Sequence, residues 1–455
     1  MTTPSNISTT SSNLLADWRP EDHSFWESTG QRIAWKTLAI TTLSLLLSFC
    51  TWFLMSVLVV RLPGVGFKFD EDQRFWLLAM PGLAAGLLRL LNMFLIPIFG
   101  TRKVVTIATL IKILPCVGIG MAVMTPGTPY WIFLVLAFLL GLGGGDFSSF
   151  MPSTSVFFPK RLQGTALGIQ AGIGNFGVSV VQFVSPWIIT FGIGGAALGG
   201  SQLLTNKKTG VVSTVWLQNS AFWFIPFLLV MGIVAWVMLR SVPVKASFRE
   251  QFDIFRSKHT WFCTITYVMT FGSFAGLSMV FPKLIEIYGK FPNAPDPLKF
   301  AFYGPLIGSA MRVIAGPFTD KWGGALFTTL CGLGLIAGTA ILGFGGLLAP
   351  TSIDQFPLFI TVMLGMFFFT GIGNASTFRQ YPVIFAHSPR QASGVIGFTA
   401  AIAAFGPFIF STLIGRAKAA FGSPAPFFLG LMGFCLLATA VNWWFYQRRG
   451  CEKPS

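Results

Sequence analysis

The segment GGGDFSSFMPSTSVFFPK at residues 143–160 has a counterpart, GIGNASTFRQYPVIFAHS, at residues 371–388. Glycines, hydroxyl residues and phenylalanines recur at matched positions, which are Gly143/Gly371, Gly145/Gly373, Ser148/Ser376, Ser149/Thr377, Phe150/Phe378 and Phe157/Phe385. After one inserted residue, Arg161 and Gly168 match Arg390 and Gly397. At a slightly different offset, Arg89 pairs with Arg312 and Gly100 with Gly323. The same element therefore occurs twice, once in each half of the chain.

The composition outside these segments indicates a membrane protein. Hydrophobic residues make up 53% of the 455 residues and charged residues only 10%, against about 25% charged in soluble domains. A membrane helix needs about 20 apolar residues, so the sequence predicts an all-α membrane protein and leaves no room for a soluble enzyme domain. Twelve spans are predicted, near residues 38–60, 76–99, 104–124, 130–158, 165–193, 217–239, 260–282, 300–318, 325–348, 357–385, 393–415 and 424–446.

Two corresponding sets of six spans are the pattern of a secondary transporter. Of the 27 basic residues outside the spans, 17 fall on the side of the termini and 10 on the opposite side, which predicts that both termini are cytoplasmic. The first 35 residues are polar and lack the short apolar stretch and cleavage site of a signal peptide. The predicted units are a cytoplasmic N-terminal segment (1–35), an N-terminal six-helix half (36–240), a cytoplasmic linker (241–259), a C-terminal six-helix half (260–447) and a cytoplasmic tail (448–455).

Other function classes find little support in the composition. The net charge of +16 comes from 31 basic residues scattered between hydrophobic runs, which is typical of loop charge at membrane surfaces rather than of nucleic-acid binding. The six cysteines occur singly, with neither CxxC nor CxxH spacing, so we expect no disulfide framework and no metal site. The chain carries no metal or nucleophile constellation of an enzyme, and we expect no cofactor.

The segment GPFTDKWGG at 316–324 resembles the cytoplasmic Gly…Asp-basic-x-Gly turn of the major facilitator superfamily. This resemblance implies that Gly316, Asp320, Lys321 and Gly323 belong to a cytoplasmic gate motif. The counterpart in the first half, IPIFGTRK at 96–103, keeps a glycine and two basic residues but lacks the acid.

Two arginines, Arg89 and Arg312, are predicted inside spans, where a charge costs at least about 2.5–3.5 kcal/mol on insertion scales. Ion pairing could explain them, yet Asp146 is the only acid deep in a span, and it cannot neutralise two arginines and Lys112. We therefore expect the arginines to face each other across a central cavity and to share a small anionic substrate. The planar guanidinium fork suits a planar oxyanion.

The fifth predicted span carries Gly164, Gly168 and Gly172 at four-residue spacing. Such a face allows close helix packing, and packing alone could explain it. Asn175, on the same span, is more specific because an amide in an apolar helix needs a partner and could donate to an anion. Asn374 has an equivalent position on the tenth span.

The longest motifs resemble one transporter family. Residues 143–160, followed by GTALGIQAGIGNFGVSVVQ at 164–182, resemble the nitrate/nitrite porter family of the major facilitator superfamily, and in particular its NarK-type antiporters. The similarity extends from DWRPED at 17–22, through Cys50 and Trp52, to the twelfth span. It implies two pseudo-symmetric six-helix halves, a protein functional as a monomer in the bacterial inner membrane, and a role in nitrate assimilation or respiration. Its partners would be nitrate, nitrite and the lipid bilayer, with no nucleic acid.

The resemblance also implies roles for individual residues. Arg89 and Arg312 would clasp nitrate, and Tyr267 would donate a hydroxyl hydrogen bond beside them. The remaining implied residues are the aromatic walls Phe49, Phe147 and Phe271, and Asn175 and Ser376 along the exchange path.

This chain departs from the family at two charged positions. The family usually has an amide where this chain has Asp146, and an aliphatic residue where it has Lys112. We expect a structural ion pair between neighbouring helices, although Asp146 could instead be a proton site. The predicted function is import of nitrate in exchange for nitrite by alternating access. The alternative is proton-coupled nitrate symport through Asp146, which no histidine deep in a span supports.

Overall fold

The structure is a computed structural model that describes residues 14–193, 198–205, 212–243 and 252–455. Residues 1–13 of the predicted N-terminal segment and 244–251 of the predicted linker lie outside the described residues. Eleven helices of the described chain are long and apolar enough to cross a membrane. A further 20-residue helix, Tyr303–Trp322, completes twelve. Its sequence is less apolar because it carries Arg312, Asp320 and Lys321. The predicted twelve-helix membrane fold is confirmed.

The first six spanning helices form the N-terminal half. They are α1 (Gln31–Arg61), α2 (Glu71–Asn92), α3 (Leu95–Ile111 and Ile113–Met124), α4 (Tyr130–Gly145 and Phe147–Ser155), α5 (Lys160–Ile188) and α6 (Asn219–Phe222 and Phe224–Met238). Before α6, β1 (Gln202–Thr205) pairs antiparallel with β2 (Val212–Val215), with Gln202 opposite Val215.

The other six form the C-terminal half. They are α7 (Lys258–Tyr267 and Ser273–Ile285), α8 (Tyr303–Trp322), α9 (Gly324–Phe344), α10 (Phe356–Ile384), α11 (Pro389–Ala403 and Gly406–Phe421) and α12 (Ala425–Asn442). Short helical turns flank these helices at His23–Phe25, Trp26–Gly30, Leu62–Val65, Phe252–Arg256, Glu286–Lys290, Pro297–Ala301, Ile353–Gln355 and Trp443–Gln447.

The helix ends follow local chemistry. A capping box starts α2, where the Asp70 side chain accepts from the Gln73 amide at 2.7 Å and the Gln73 side chain accepts from the Asp70 amide at 3.0 Å. The repeat-related Gly100 and Gly323 both have a positive φ, 76° and 87°, a backbone geometry that glycine adopts readily. The second span was predicted to reach residue 99, but α2 ends at Asn92 and a separate turn leads to Gly100.

The two halves meet along three helix pairs, α2 with α11, α5 with α8, and α1 with α7. Within each half, the closest packing joins α1 to α5, α2 to α4, and α10 to both α8 and α9. The two ends of the described chain, at residues 14 and 455, lie on one face, which we call the terminal face. There, Trp18 packs against Phe157 and Trp26 against Phe158, and Glu452 binds Lys258 at 2.7 Å. The opposite face, which carries the α1–α2 and α7–α8 connections, is the distal face.

Candidate functional site

Arg89 lies on α2 and is fully buried between the two halves. Its Nε donates to the carbonyl of Gly144 in α4 at 2.7 Å, and its Nη1 donates to the carbonyl of Ala400 in α11 at 2.8 Å. Its Nη2 has no hydrogen-bond partner. The guanidinium is therefore fixed by both halves and keeps one free donor nitrogen.

Arg312 lies at the repeat-related position on α8 and is 5% exposed. Both of its terminal nitrogens, Nη1 and Nη2, are without a hydrogen-bond partner. The positive charges of Arg312 and Arg89 repel each other. None of the ion pairs among the described residues includes either arginine. An unpaired buried charge costs several kcal/mol, about 3–5 when a buried partner is removed. The site is thus short of negative charge.

Four aromatic rings form a closed set beside the arginines, which we call the ring cage. Phe147 stacks on Phe271 and on Phe378, with ring centroids 6.4 and 6.3 Å apart. Tyr267 stacks on the same two rings, at 5.4 Å from each. The rings of Phe147 and Phe378 are within 14° of parallel. The buried Tyr267 hydroxyl has no hydrogen-bond partner, so it adds a polar group to otherwise apolar walls.

The guanidinium groups lie over these rings. The Cζ of Arg89 is 4.7 Å from the Phe147 centroid and 5.2 Å from that of Phe271. The Cζ of Arg312 is 4.7 Å from the Phe378 centroid. Each desolvated cation–π contact can contribute about 2 kcal/mol, which offsets part of the cost of burying the charges without using their N–H groups.

A short π-helical turn, Val268–Gly272, interrupts α7 directly after Tyr267. Single π-helical turns inside α-helices frequently occur at functional sites. Here the turn begins directly after Tyr267 and contains Phe271, the other cage residue that α7 supplies, and the two rings are within 9° of parallel.

The other predicted site residues, Phe49, Asn175 and Ser376, differ in what they contact. Phe49 contacts Trp52 at 5.3 Å and Phe147 at 6.4 Å, so it supports the cage from behind. Asn175 is fully buried and neither atom of its amide has a partner. The Ser376 hydroxyl contacts Thr328 in α9 at 2.8 Å and donates to the Gly373 carbonyl. Ser376 is thus turned into the C-terminal half, away from the ring cage.

Lys112 and Asp146 are in contact between α3 and α4. The Lys112 Nζ contacts the Asp146 Oδ2 and also the carbonyl of Ala108 at 2.5 Å, and the Ser48 hydroxyl donates to the same carboxylate oxygen at 2.7 Å. Both charged side chains are buried. The carboxylate is therefore engaged on one oxygen by a cation and a hydroxyl.

The predicted gate motif lies where α8 meets α9 on the terminal face. Asp320 pairs with Arg379 of α10 at 2.9 Å, and Lys321 lies 5.3 Å from the Trp322 ring. A Cβ at Gly316 would meet nothing within 4 Å. All of these contacts stay inside the C-terminal half.

Sequence reasoning missed two members of the site. Phe378 closes the ring cage, and Trp52 lies 5.3 Å from the Arg89 Cζ. Phe378 belongs to the repeat and Trp52 to a motif, but aromatic residues make up 15% of the chain. Nothing in the pattern distinguishes a cage ring from a packing ring.

The chemistry available here is recognition rather than bond making. Two fixed charges, a phenol and aromatic walls can hold a small planar anion. Within the described part of the chain, no three His, Cys, Asp or Glu side chains form a group that could hold a metal ion.

Comparisons with known proteins identify a superfamily and several similar proteins. The profile of the Major Facilitator Superfamily matches residues 41–384. A protein of Thermus thermophilus, named as a probable nitrate/nitrite antiporter NarK2, is 57% identical over 97% of this chain and 98% of its own length. The nitrate/nitrite transporter NarU of Escherichia coli is 36% identical over 96% of both chains.

Solved structures give the same fold at low sequence identity. A bacterial homologue of the human lysosomal transporter Spinster, solved in an inward-facing and unoccupied conformation, superimposes with a TM-score of 0.64 at 14% identity. The match covers 90% of this chain and 96% of that one. A point mutant of the nucleoside transporter NupG gives a TM-score of 0.59 at 13% identity, over 89% of this chain and 98% of its own.

Proposed function

Because this chain belongs to the NarK-type nitrate/nitrite porter family of the major facilitator superfamily, we propose that it imports nitrate in exchange for nitrite by alternating access. It is a multi-pass membrane transporter and not an enzyme. The relatives with 57% and 36% identity, which are named for nitrate and nitrite, support these two anions as the substrates.

One observation carries the proposed binding mode. Arg89 Nη2, Arg312 Nη1 and Nη2, and the Tyr267 hydroxyl are all buried donors without a hydrogen bond of good geometry, and the Tyr267 hydroxyl lies beside the Arg312 guanidinium. Buried donors without partners are costly, and the unpaired charges add to that cost. A planar monovalent oxyanion bound between the arginines would satisfy the donors and supply the missing negative charge.

Exchange, rather than leak, follows from the same electrostatics. An empty carrier that changes conformation keeps two like charges in a low-dielectric site, where their repulsion is strong. A bound anion lowers this barrier, whether it is nitrate inward or nitrite outward. The two anions carry equal charge, so the exchange is electrically silent and requires no proton.

Proton-coupled symport through Asp146 is the alternative. The contacts favour a structural role instead, because the Asp146 carboxylate already binds the Lys112 ammonium and the Ser48 hydroxyl. A paired charge is the less unfavourable state inside a membrane.

We further propose that the protein acts as a monomer in the bacterial inner membrane with both termini in the cytoplasm. The basic residues support this orientation through the positive-inside rule. The terminal face would then be cytoplasmic and the distal face periplasmic.

The test is anion exchange in proteoliposomes loaded with nitrite or nitrate, with and without an imposed proton gradient. We expect external nitrate uptake to depend on an internal anion and not on the gradient. The matched variants are Arg312→Lys, which keeps the charge but loses the planar fork, and Lys258→Gln, which removes a cation remote from the site. Full exchange activity in Arg312→Lys, or accumulation of nitrate driven by the proton gradient alone, would overturn the proposal.

A further inference from the structure

Ion pairs join the two halves at the distal face. Arg61 at the end of α1 contacts Asp296 in the α7–α8 connection at 2.6 Å. Arg74 of α2 contacts Glu286, which follows α7, at 3.1 Å. Each pair links one residue of the N-terminal half to one of the C-terminal half.

Glu71, the first residue of α2, makes two more contacts of this kind. It lies 2.5 Å from Lys418 of α11 and 3.3 Å from Lys283 of α7. Lys283 in turn contacts Glu286. The result is a continuous row of alternating charges across the interface, which we call the distal charge row: Lys418, Glu71, Lys283, Glu286 and Arg74.

The row is most buried at its centre. The Lys283 side chain is 3% exposed, whereas the side chains on either side of it in the row are 17–40% exposed. Contacts between the partly exposed members are screened by salt and contribute little. The contacts of Lys283 are desolvated, so losing them leaves a charge without compensation.

Among the described residues, no such row lies on the terminal face. Among ion pairs between described residues there, Asp320–Arg379 and Lys258–Glu452 each stay within the C-terminal half, and Asp253–Arg390 joins the linker to that half. None of the ion pairs between described residues connects the two halves on this face.

Backbone packing shows the same asymmetry. A Cβ at Gly82 of α2 would lie 2.4 Å from the Phe408 amide of α11, and one at Gly415 of α11 would lie 3.0 Å from the Phe75 Cβ of α2. Towards the terminal face, a Cβ at Gly168 of α5 or Gly397 of α11 would meet nothing within 4 Å. At these glycine positions, the two halves approach each other more closely on the distal side than towards the terminal face.

We propose that the distal charge row, together with Arg61–Asp296, is the gate that closes the anion path at the distal face and sets how often the transporter opens there. This inference rests on the proposed alternating access. Opening separates Arg74 from Glu286, and Glu71 from Lys283 and Lys418. Lys283 keeps Glu286 as a partner throughout because both lie in the C-terminal half. The most buried cation of the row is therefore never left unpaired.

The test measures how readily a thiol below the gate is reached from the distal side. Ser278 lies on α7 five residues before Lys283, about 7.5 Å deeper along the helix, and is fully buried. Ser278→Cys is introduced into a variant whose six native cysteines are replaced, and spheroplasts are treated with a membrane-impermeant maleimide. Lys68→Cys, exposed in the α1–α2 connection, establishes that the distal face is outside.

The gate is weakened by Glu71→Gln with Glu286→Gln, which removes three contacts between the halves. We expect Ser278→Cys to be labelled at least about five-fold faster, since even modest ion pairs change populations by such factors. Arg61→Gln, outside the row, gives a smaller increase and keeps the test valid if the double variant does not fold. Lys258→Gln, which removes a cation from a pair inside one half, leaves the labelling rate unchanged.

An unchanged labelling rate in both Arg61→Gln and the folded double variant would overturn the gate. Nitrate binding to the purified variants separates this failure from that of the proposed function. Retained nitrate binding with unchanged labelling refutes the gate alone. If the protein without gate substitutions binds no nitrate, the proposed function fails, while the labelling comparison still decides whether the row closes the distal face.

Discussion

The contact between Lys112 and Asp146 leads to a quantitative prediction about a charge pair that the family usually lacks. Asp146→Asn removes the counter-charge but leaves the Lys112 ammonium buried, with the Ala108 carbonyl and neutral groups around it. Breaking a buried pair by removing one partner costs about 3–5 kcal/mol. We expect a loss of that size in the free energy of unfolding, measured by denaturant titration in detergent micelles.

Asp320→Asn is the matched control, because it removes a carboxylate from a pair whose side chains are 38% and 70% exposed. Such a pair contributes at most about 1 kcal/mol. The double variant Asp146→Asn with Lys112→Ile removes both charges and should recover most of the lost stability, since replacing a buried pair by neutral groups is often neutral or stabilising. If Asp146→Asn costs no more than Asp320→Asn, the pair is not structural.

Transport by the double variant decides whether Asp146 also carries a proton. Uptake of nitrate into proteoliposomes is driven first by internal nitrite and then by an inward proton gradient alone. We expect nitrite-driven exchange in both the unmodified protein and the double variant, with no gradient-driven accumulation in either. Gradient-driven accumulation that disappears only in the folded double variant would establish Asp146 as a coupling site.

Four further outcomes are expected. Arg89→Lys should fold and exchange anions poorly, because lysine lacks the planar fork; exchange rates in proteoliposomes that match the unmodified protein would contradict this. Tyr267→Phe should weaken nitrate binding by about 1.5–3 kcal/mol, the value of a hydrogen bond to a charged group, measured by calorimetry with normal expression as the control. Gly323→Ala should lower unfolding stability by about 1–3 kcal/mol because φ is 87° there, whereas Gly316→Ala, with open space around it, should not. The hydrogen bond from Lys258 lowers the pKa of the Glu452 carboxyl. The contribution of this exposed pair to holding the tail should therefore be complete above pH about 4.3 and decline only as pH falls through the lowered value, and it should be small. Hydrogen-exchange protection of residues 448–455 checks this, and Glu452→Gln should lack the contribution at every pH.

Periodicity and composition were sufficient to predict the membrane fold. Long apolar runs leave few alternatives to spanning helices, and the repeat relating Gly100 to Gly323 reappears as matching positive φ values. The end of α2 was misplaced because residues 93–99 are as apolar as a span and only the backbone reveals the turn. Hydrophobicity does not encode where a helix bends within an apolar segment.

The candidate site was predicted only where charge makes a residue conspicuous. Arg89 and Arg312 stood out because a membrane interior penalises them, and the structure brings both to the ring cage. Phe378 and Trp52 carry no such penalty, so their place beside the arginines depends on helix rotation. Ser376 is expected along the exchange path, whereas its hydroxyl contacts Thr328. A repeat pattern does not specify the direction in which a small polar side chain points.

The two arginines occupy equivalent positions in a duplicated architecture, yet their hydrogen bonding is unequal. Arg89 is bonded to the carbonyls of Gly144 and Ala400, one in each half, whereas both terminal nitrogens of Arg312 are free. Under the proposed alternating access, the hydrogen bond between Arg89 and Ala400 joins the two moving halves, whereas Arg312 moves with the C-terminal half. The repeat-related positions are therefore chemically inequivalent. In the proposed binding mode, an anion between the arginines would meet one unpartnered terminal nitrogen on Arg89 and two on Arg312.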